Sequence, residues 1–224
     1  MVIHYPAMAS TPEALERLCD PAFEVSAHYL VSEQGEVLAL VPEELRAWHA
    51  GAGSWGGLAD LNSRSIGIEL ANRGTHPFSH PQMLALVRLL DGILARWSIP
   101  PERVIGHSDM APDRKFDPGP RFDWRRLARQ GLSVWPEVNR NRSGRREAGQ
   151  ATTGQLEQDD SPAEPFLSAL ATFGYDTSLD PDLLLQAFRA RFRPWARGPI
   201  GPEDAGAALD LARRFPVDRG AHAA

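Results

Sequence analysis

The pattern of hydrophobic positions divides the chain into a long ordered stretch, a polar gap and a short second ordered stretch. Apolar side chains alternate or recur at helical steps over residues 1–135. Residues 137–164, EVNRNRSGRREAGQATTGQLEQDDSPAE, carry almost no large apolar side chain. Such a segment has too little apolar surface to bury to offset its ordering entropy. Pattern returns at Pro165 and runs to about Pro216. We therefore expect a first domain over 1–136, a flexible linker over 137–164 and a small helical domain over 165–217.

Within the first part, strands and helices mix. Val2–Tyr5 reads as a short strand. Thr11-Pro12 opens a helix to about Cys19, with threonine as cap and proline in the first turn. Val25–Val31 alternates, and Gln34-Gly35 turns it back into Glu36–Val41 as a hairpin. In Ser65–Ala71, Ile66, Ile68 and Leu70 fall on one face and Ser65, Gly67, Glu69 and Ala71 on the other. Gln82–Trp97 is the strongest helix, with Met83, Leu86, Val87, Leu90, Ile93, Leu94 and Trp97 at three- and four-residue steps. Val104–His107 is a last short strand. This order predicts an α/β domain with a mixed central sheet flanked by helices. In the second part, Phe166–Phe173, Pro181–Phe192 and Pro202–Phe215 each carry an apolar stripe, as in a small three-helix unit. Leu184, Ala187, Phe188 and Phe192 line one face of its middle helix.

Composition narrows the classes of function. The 224 residues carry 24 lysines and arginines against 29 acidic residues, a net charge of −5. No basic excess exists to neutralise phosphates, so no nucleic-acid partner is expected. No run of 18 apolar residues predicts a membrane span. The single cysteine, Cys19, excludes an internal disulfide and a cysteine-rich metal site. Strand pattern begins directly after Met1, with no charged and apolar leader before it. As it stands, the sequence reads as cytoplasmic; a start further upstream would place the protein in the cell envelope.

Chemistry concentrates in residues 106–120, GHSDMAPDRKFDPGP. His107 and Asp117 are ligand types that suit zinc, and Lys115 between them suits stabilisation of negative charge. A catalytic zinc site uses three protein ligands and one open position, so a third ligand must come from elsewhere. His4 and His28 both lie mid-strand, and spacing does not choose between them. Trp48 and His49 share a loop suited to a substrate-contacting wall. Glu69, between small residues on its face of the strand, suits a general base. Asp109 reads as a capping or turn residue and, two positions from His107, as a candidate to orient it.

The segments VIHY (2–5), VSAHYLV (25–31), AWHAG (47–51), NSRSIGIEL (62–70) and GHSDMAPDRKFDPGP (106–120) together resemble the type-2 N-acetylmuramoyl-L-alanine amidases, in particular their AmiD and AmpD branch. That family shares its fold with peptidoglycan recognition proteins and a phage lysozyme. The resemblance implies one zinc ion on His4, His107 and Asp117, with Glu69 and Lys115 catalytic. It further implies that His28 is a non-ligand residue near the site that contacts substrate, and that Trp48 and His49 border the substrate groove. Its implied reaction is zinc-dependent hydrolysis of the amide between the lactyl group of N-acetylmuramic acid and L-alanine, on peptidoglycan or a muropeptide. A non-catalytic peptidoglycan-binding protein and a zinc peptidase acting within the stem peptide are the alternatives. Residues 165–216, with FGYD and QAFRARFRPW, resemble the small helical peptidoglycan-binding domain attached to such amidases. Pro6 departs from the family, where many relatives have threonine.

Overall fold

The computed structural model describes residues 1–137 and 161–217. Five strands form one sheet in the order β3-β2-β4-β1-β5: β1 Val2–His4, β2 Tyr29–Val31, β3 Val37–Ala39, β4 Gly67–Leu70 and β5 Ile105–Gly106. Strand β1 pairs parallel with both β4 and β5, β2 pairs parallel with β4, and the β2–β3 hairpin is antiparallel. The mixed sheet and flanking helices expected from the pattern are present. The strands are shorter than the apolar runs that announced them, because backbone pairing ends before the alternation does.

Register sorts the side chains. The parallel β1–β4 pairing sets Ile3 opposite Ile68 and His4 opposite Glu69. With a period of two, Ile3, Ile68 and Leu70 point to one face, His4 and Glu69 to the other. The first face packs against α2 (His80–Trp97) through Met83, Leu86, Leu90 and Ile93, and against Trp124 and Leu127 of α4 (Trp124–Arg129). Each such side chain contributes about 1.5–3 kcal/mol on burial. Gln82 joins helix to sheet, its amide donating to the carbonyls of Val31 and Ala71 at 2.9 and 3.0 Å.

Two groups of helices cover the other face. Helix α1 (Thr11–Cys19) places Ala14 and Leu18 against Ala27, Leu30 and Ala71. Its cap is Ser10, one residue before the expected Thr11. Helices α5 (Ala163–Phe173), α6 (Pro181–Phe192) and α7 (Pro202–Arg214) correspond to the three expected apolar stripes. Their core is continuous with the sheet: Phe166, Phe173, Phe188, Phe192 and Leu211 form one cluster with Val2, Trp55, Ile105 and Met110. Of the expected linker, residues 138–160 lie outside the described residues, and Ala163 and Glu164 already belong to α5.

Candidate active site

The parallel strands deliver their chemistry at one end of the sheet. His4 closes β1, whose backbone is bonded on both sides: Val2 N–H donates to the Ile66 carbonyl at 3.0 Å, and Ile105 N–H to the Met1 carbonyl at 3.1 Å. Strand β5 runs into the one-turn helix α3 (His107–Met110), so His107 stands beside His4. The chain then loops out and returns, and Ser108 N–H donates to the Asp117 carbonyl at 2.9 Å. That bond brings Asp117 beside His107. Gly106 leaves room for the return, since a Cβ there would lie 2.7 Å from Pro118 Cδ.

The result is a tight triangle. His4 Nδ1 and His107 Nδ1 are 2.9 Å apart, and Asp117 Oδ2 lies 3.1 and 3.0 Å from them. The three ligand atoms fall within 4.8 Å of one another, and all three residues are buried. The opposite ring nitrogens assign the tautomers. His107 Nε2 faces the Ala50 carbonyl at 2.9 Å, which only accepts, so Nε2 carries the proton. His49 Nε2 likewise faces the Ser65 carbonyl at 3.3 Å, so its Nδ1 accepts from His4 Nε2 at 3.0 Å. Both Nδ1 atoms therefore present lone pairs to each other and to a carboxylate. Burial first, and then His107, lower the His4 pKa to about 4, which keeps that imidazole neutral. Two converging imidazole nitrogens and a carboxylate oxygen form a donor set that suits zinc. The residues present fit that ion.

Glu69 stands beside the triangle, across the strand pair from His4. Its Oε2 is buried without a hydrogen-bond partner among the described residues. Burial first, and then the charge of Asp117, raise its pKa to about 8. Lys115 is half-buried on the same wall and makes no ion pair among the described residues. A groove of about 280 Å³ opens over these groups, lined by Tyr5, Arg17, Trp48, Glu69, Lys115 and two corners of the triangle, His107 and Asp117. Trp48 is 57% exposed on its rim, with the Arg46 guanidinium 4.9 Å from its ring centre.

Two expected residues act elsewhere. His28 lies behind the groove: Gly67 N–H donates to its Nδ1 and its Nε2 faces the Leu45 carbonyl, each at 3.0 Å. That leaves no ring nitrogen for a substrate, which corrects the expected contact. Asp109 makes no bond to His107. It caps α3 by accepting from Gly106 N–H at 2.7 Å, and it pairs with Arg191 of α6 at 2.7 Å and with the Tyr175 hydroxyl. His49 lines the groove but is buried, and both its ring nitrogens are bonded. Sequence reasoning passed over Asn62, although it lies inside a quoted segment. It also passed over Arg191, whose signal is a lone cation inside the apolar stripe of α6.

A buried donor triangle at the floor of an open groove, with an unpaired acid beside it, is the arrangement of a metal-assisted hydrolase. Comparison with known proteins makes the class specific. Residues 1–120 match the N-acetylmuramoyl-L-alanine amidase family Amidase_2. The chain is 39% identical to N-acetylmuramoyl-L-alanine amidase AmiD of Escherichia coli over 220 residues, 87% of this chain and 74% of AmiD. It superposes on the structure of that AmiD, solved with the substrate anhydro-N-acetylmuramic acid-L-Ala-D-gamma-Glu-L-Lys, with a TM-score of 0.81 at 36% identity, covering 97% of this chain and 89% of the solved chain. AmpDh3 of Pseudomonas aeruginosa, solved with anhydromuramic pentapeptide, gives a TM-score of 0.79 at 31% identity over 96% and 91%. The 1,6-anhydro-N-acetylmuramyl-L-alanine amidase AmpD of Enterobacter cloacae is 43% identical over 46% of this chain and 55% of its own length. The chain belongs to the N-acetylmuramoyl-L-alanine amidase family.

Proposed function

We propose that this protein is a zinc-dependent amidase that cleaves the bond between the lactyl group of N-acetylmuramic acid and L-alanine in a muropeptide. The observation that carries this reading is the convergence of His4 Nδ1, His107 Nδ1 and Asp117 Oδ2 within 4.8 Å, beside a buried Glu69 oxygen with no hydrogen-bond partner among the described residues. His4, His107 and Asp117 would hold the zinc, which supplies Lewis acidity and lowers the pKa of water towards about 7. In its ionised form Glu69 accepts the proton of the attacking water, through an Oε2 that has no partner among the described residues, and passes it to the leaving alanine nitrogen. Lys115, whose ammonium has no carboxylate partner among the described residues, stabilises the charge that develops on the carbonyl oxygen. The exposed Trp48 ring offers an apolar face for substrate beside the reacting amide.

The substrates bound to AmiD and AmpDh3 favour anhydro-muropeptides among the possible substrates. Digestion of purified anhydro-muropeptides, followed by mass spectrometry with and without a chelator, tests the assignment. Release of the intact stem peptide, abolished by chelation and restored by zinc, is expected. Shortened stem peptides would mark a peptidase and unchanged muropeptides a binding protein, and either result overturns the reading.

A further inference from the structure

The outward-facing nitrogens of both proposed zinc histidines end on one dipeptide. His4 Nε2 donates to the His49 ring at 3.0 Å, and His107 Nε2 donates to the neighbouring Ala50 carbonyl at 2.9 Å. Arg114 adds a second donor to that carbonyl at 2.7 Å. The dipeptide is itself clamped, because the backbone N–H groups of His49 and Ala50 both donate to Asn62 Oδ1, at 3.0 and 2.7 Å. The His49 ring lies against β4 at a position that only glycine permits: a Cβ on Gly67 would stand 2.3 Å from His49 Cγ. On its far side the ring meets His28, which the backbone holds in turn.

We propose that His49, clamped by Asn62, is a positioning residue that fixes the tautomer and ring orientation of His4 and so presents His4 Nδ1 to the metal. The proposal rests on the zinc reading above. An imidazole whose second nitrogen is free can flip its ring or move its proton to the ligating nitrogen, and either change removes a lone pair from the site. His49 prevents both, since its Nε2 proton is committed to the Ser65 carbonyl at 3.3 Å and its Nδ1 can only accept. A substrate-contacting role would need a free polar atom on that ring, and it has none.

The test compares the zinc affinities of wild type, H49N and H49L, measured by competition with a chromophoric chelator, and their muropeptide kinetics at saturating zinc. The Oδ1 of asparagine occupies the place of the lost Nδ1 and still accepts, whereas leucine puts a methyl group there. H49L is expected to weaken zinc binding by about 10–100-fold, the usual scale for an outer-shell partner, and H49N by no more than about threefold. KM at saturating zinc should stay near wild type in both. Should H49L fail to fold by circular dichroism, H49Q, which offers no acceptor at that position, takes its place with the same expectation. Equal loss in both variants, or a raised KM with unchanged zinc affinity, overturns the proposal. Tight binding by wild type with no loss in H49L sinks the role of His49 alone. A wild type that binds no zinc sinks the metal reading and this proposal together.

Discussion

Replacing Arg191 by methionine would break the junction between the C-terminal helices and the loop that carries His107. The guanidinium is 2% exposed and donates to Asp109 at 2.7 Å, to the Val104 carbonyl at 2.9 Å and to Ser133 Oγ at 3.4 Å. It also lies 4.4 Å from the Trp124 ring centre and 4.7 Å from that of Phe192. Methionine fills the volume of the alkyl stem, so little of the loss comes from a cavity. The main cost is an uncompensated carboxylate: removing one partner of a buried pair destabilises by about 3–5 kcal/mol. Asp109 keeps the Gly106 N–H and the Tyr175 hydroxyl, which puts the expectation at the lower end, about 3 kcal/mol. Against a total stability of about 5–15 kcal/mol that is a large loss. Urea unfolding followed by tryptophan fluorescence reads it as a lower midpoint at unchanged slope. Adding D109N to R191M removes the orphaned charge and should recover about 1 kcal/mol or more. A cost below about 1 kcal/mol for R191M, or a double variant weaker than R191M, refutes the ion pair as the link between the two regions.

Glu69→Gln should cut turnover by roughly 10²–10⁴-fold while zinc binding is retained, and near-native turnover would remove Glu69 from the reaction. In metal-free protein the same change separates stabilities by pH. The folded state raises the Glu69 pKa from 4.5 to about 8, so the carboxyl favours folding below pH 4.5 and loses that contribution as pH rises to 8. Wild type should then fall behind E69Q above pH 8 by a few kcal/mol at most in urea titrations, with about 5 kcal/mol the ceiling for a shift of that size. Truncation after Glu137 strips the cover from Val2, Trp55, Ile105 and Met110, so the shortened chain should aggregate or melt far below the full chain. A shortened chain that melts within a few degrees of full length would show that the shared core contributes little.

What the sequence made legible was periodic, and what it hid was pairing. The stripe of α2 and the alternation around Glu69 follow from local repeats, and both stand in the structure with their apolar faces buried together. Spacing alone leaves His4 and His28 undecided, because both fall within runs that read as strands; in the structure His4 closes β1 and His28 precedes β2. The choice lies in register: β1 aligns with β4 so that His4 meets Glu69, whereas His28 points its ring at backbone groups. Only the resemblance to the amidases separated them beforehand. The sequence around Asp109 offers a local cap and a local partner for His107; the cap is present and the bond to His107 is not. One helical turn instead aims Asp109 at α6, 82 residues further along the chain. Arg191 was visible in the pattern as a cation among Leu184, Ala187, Phe188 and Phe192, but nothing local names its partner.

These long-range pairings change what the helical region is for. A unit that merely tethered the protein to its substrate would need no more than a polar linker and a closed core of its own. Here α5, α6 and α7 complete a core begun by Val2 and Ile105, which precede His4 and His107 by two residues. The Asp109 that they neutralise caps the turn of helix on which His107 stands. The proposed zinc histidines are thus fixed from two directions. The His49-Ala50 dipeptide holds their outward nitrogens, and the C-terminal helices hold the backbone beneath them. Loss of either support leaves all three ligands in the chain but no longer aimed at one point, so zinc affinity should be more sensitive than secondary structure to damage in the helical region.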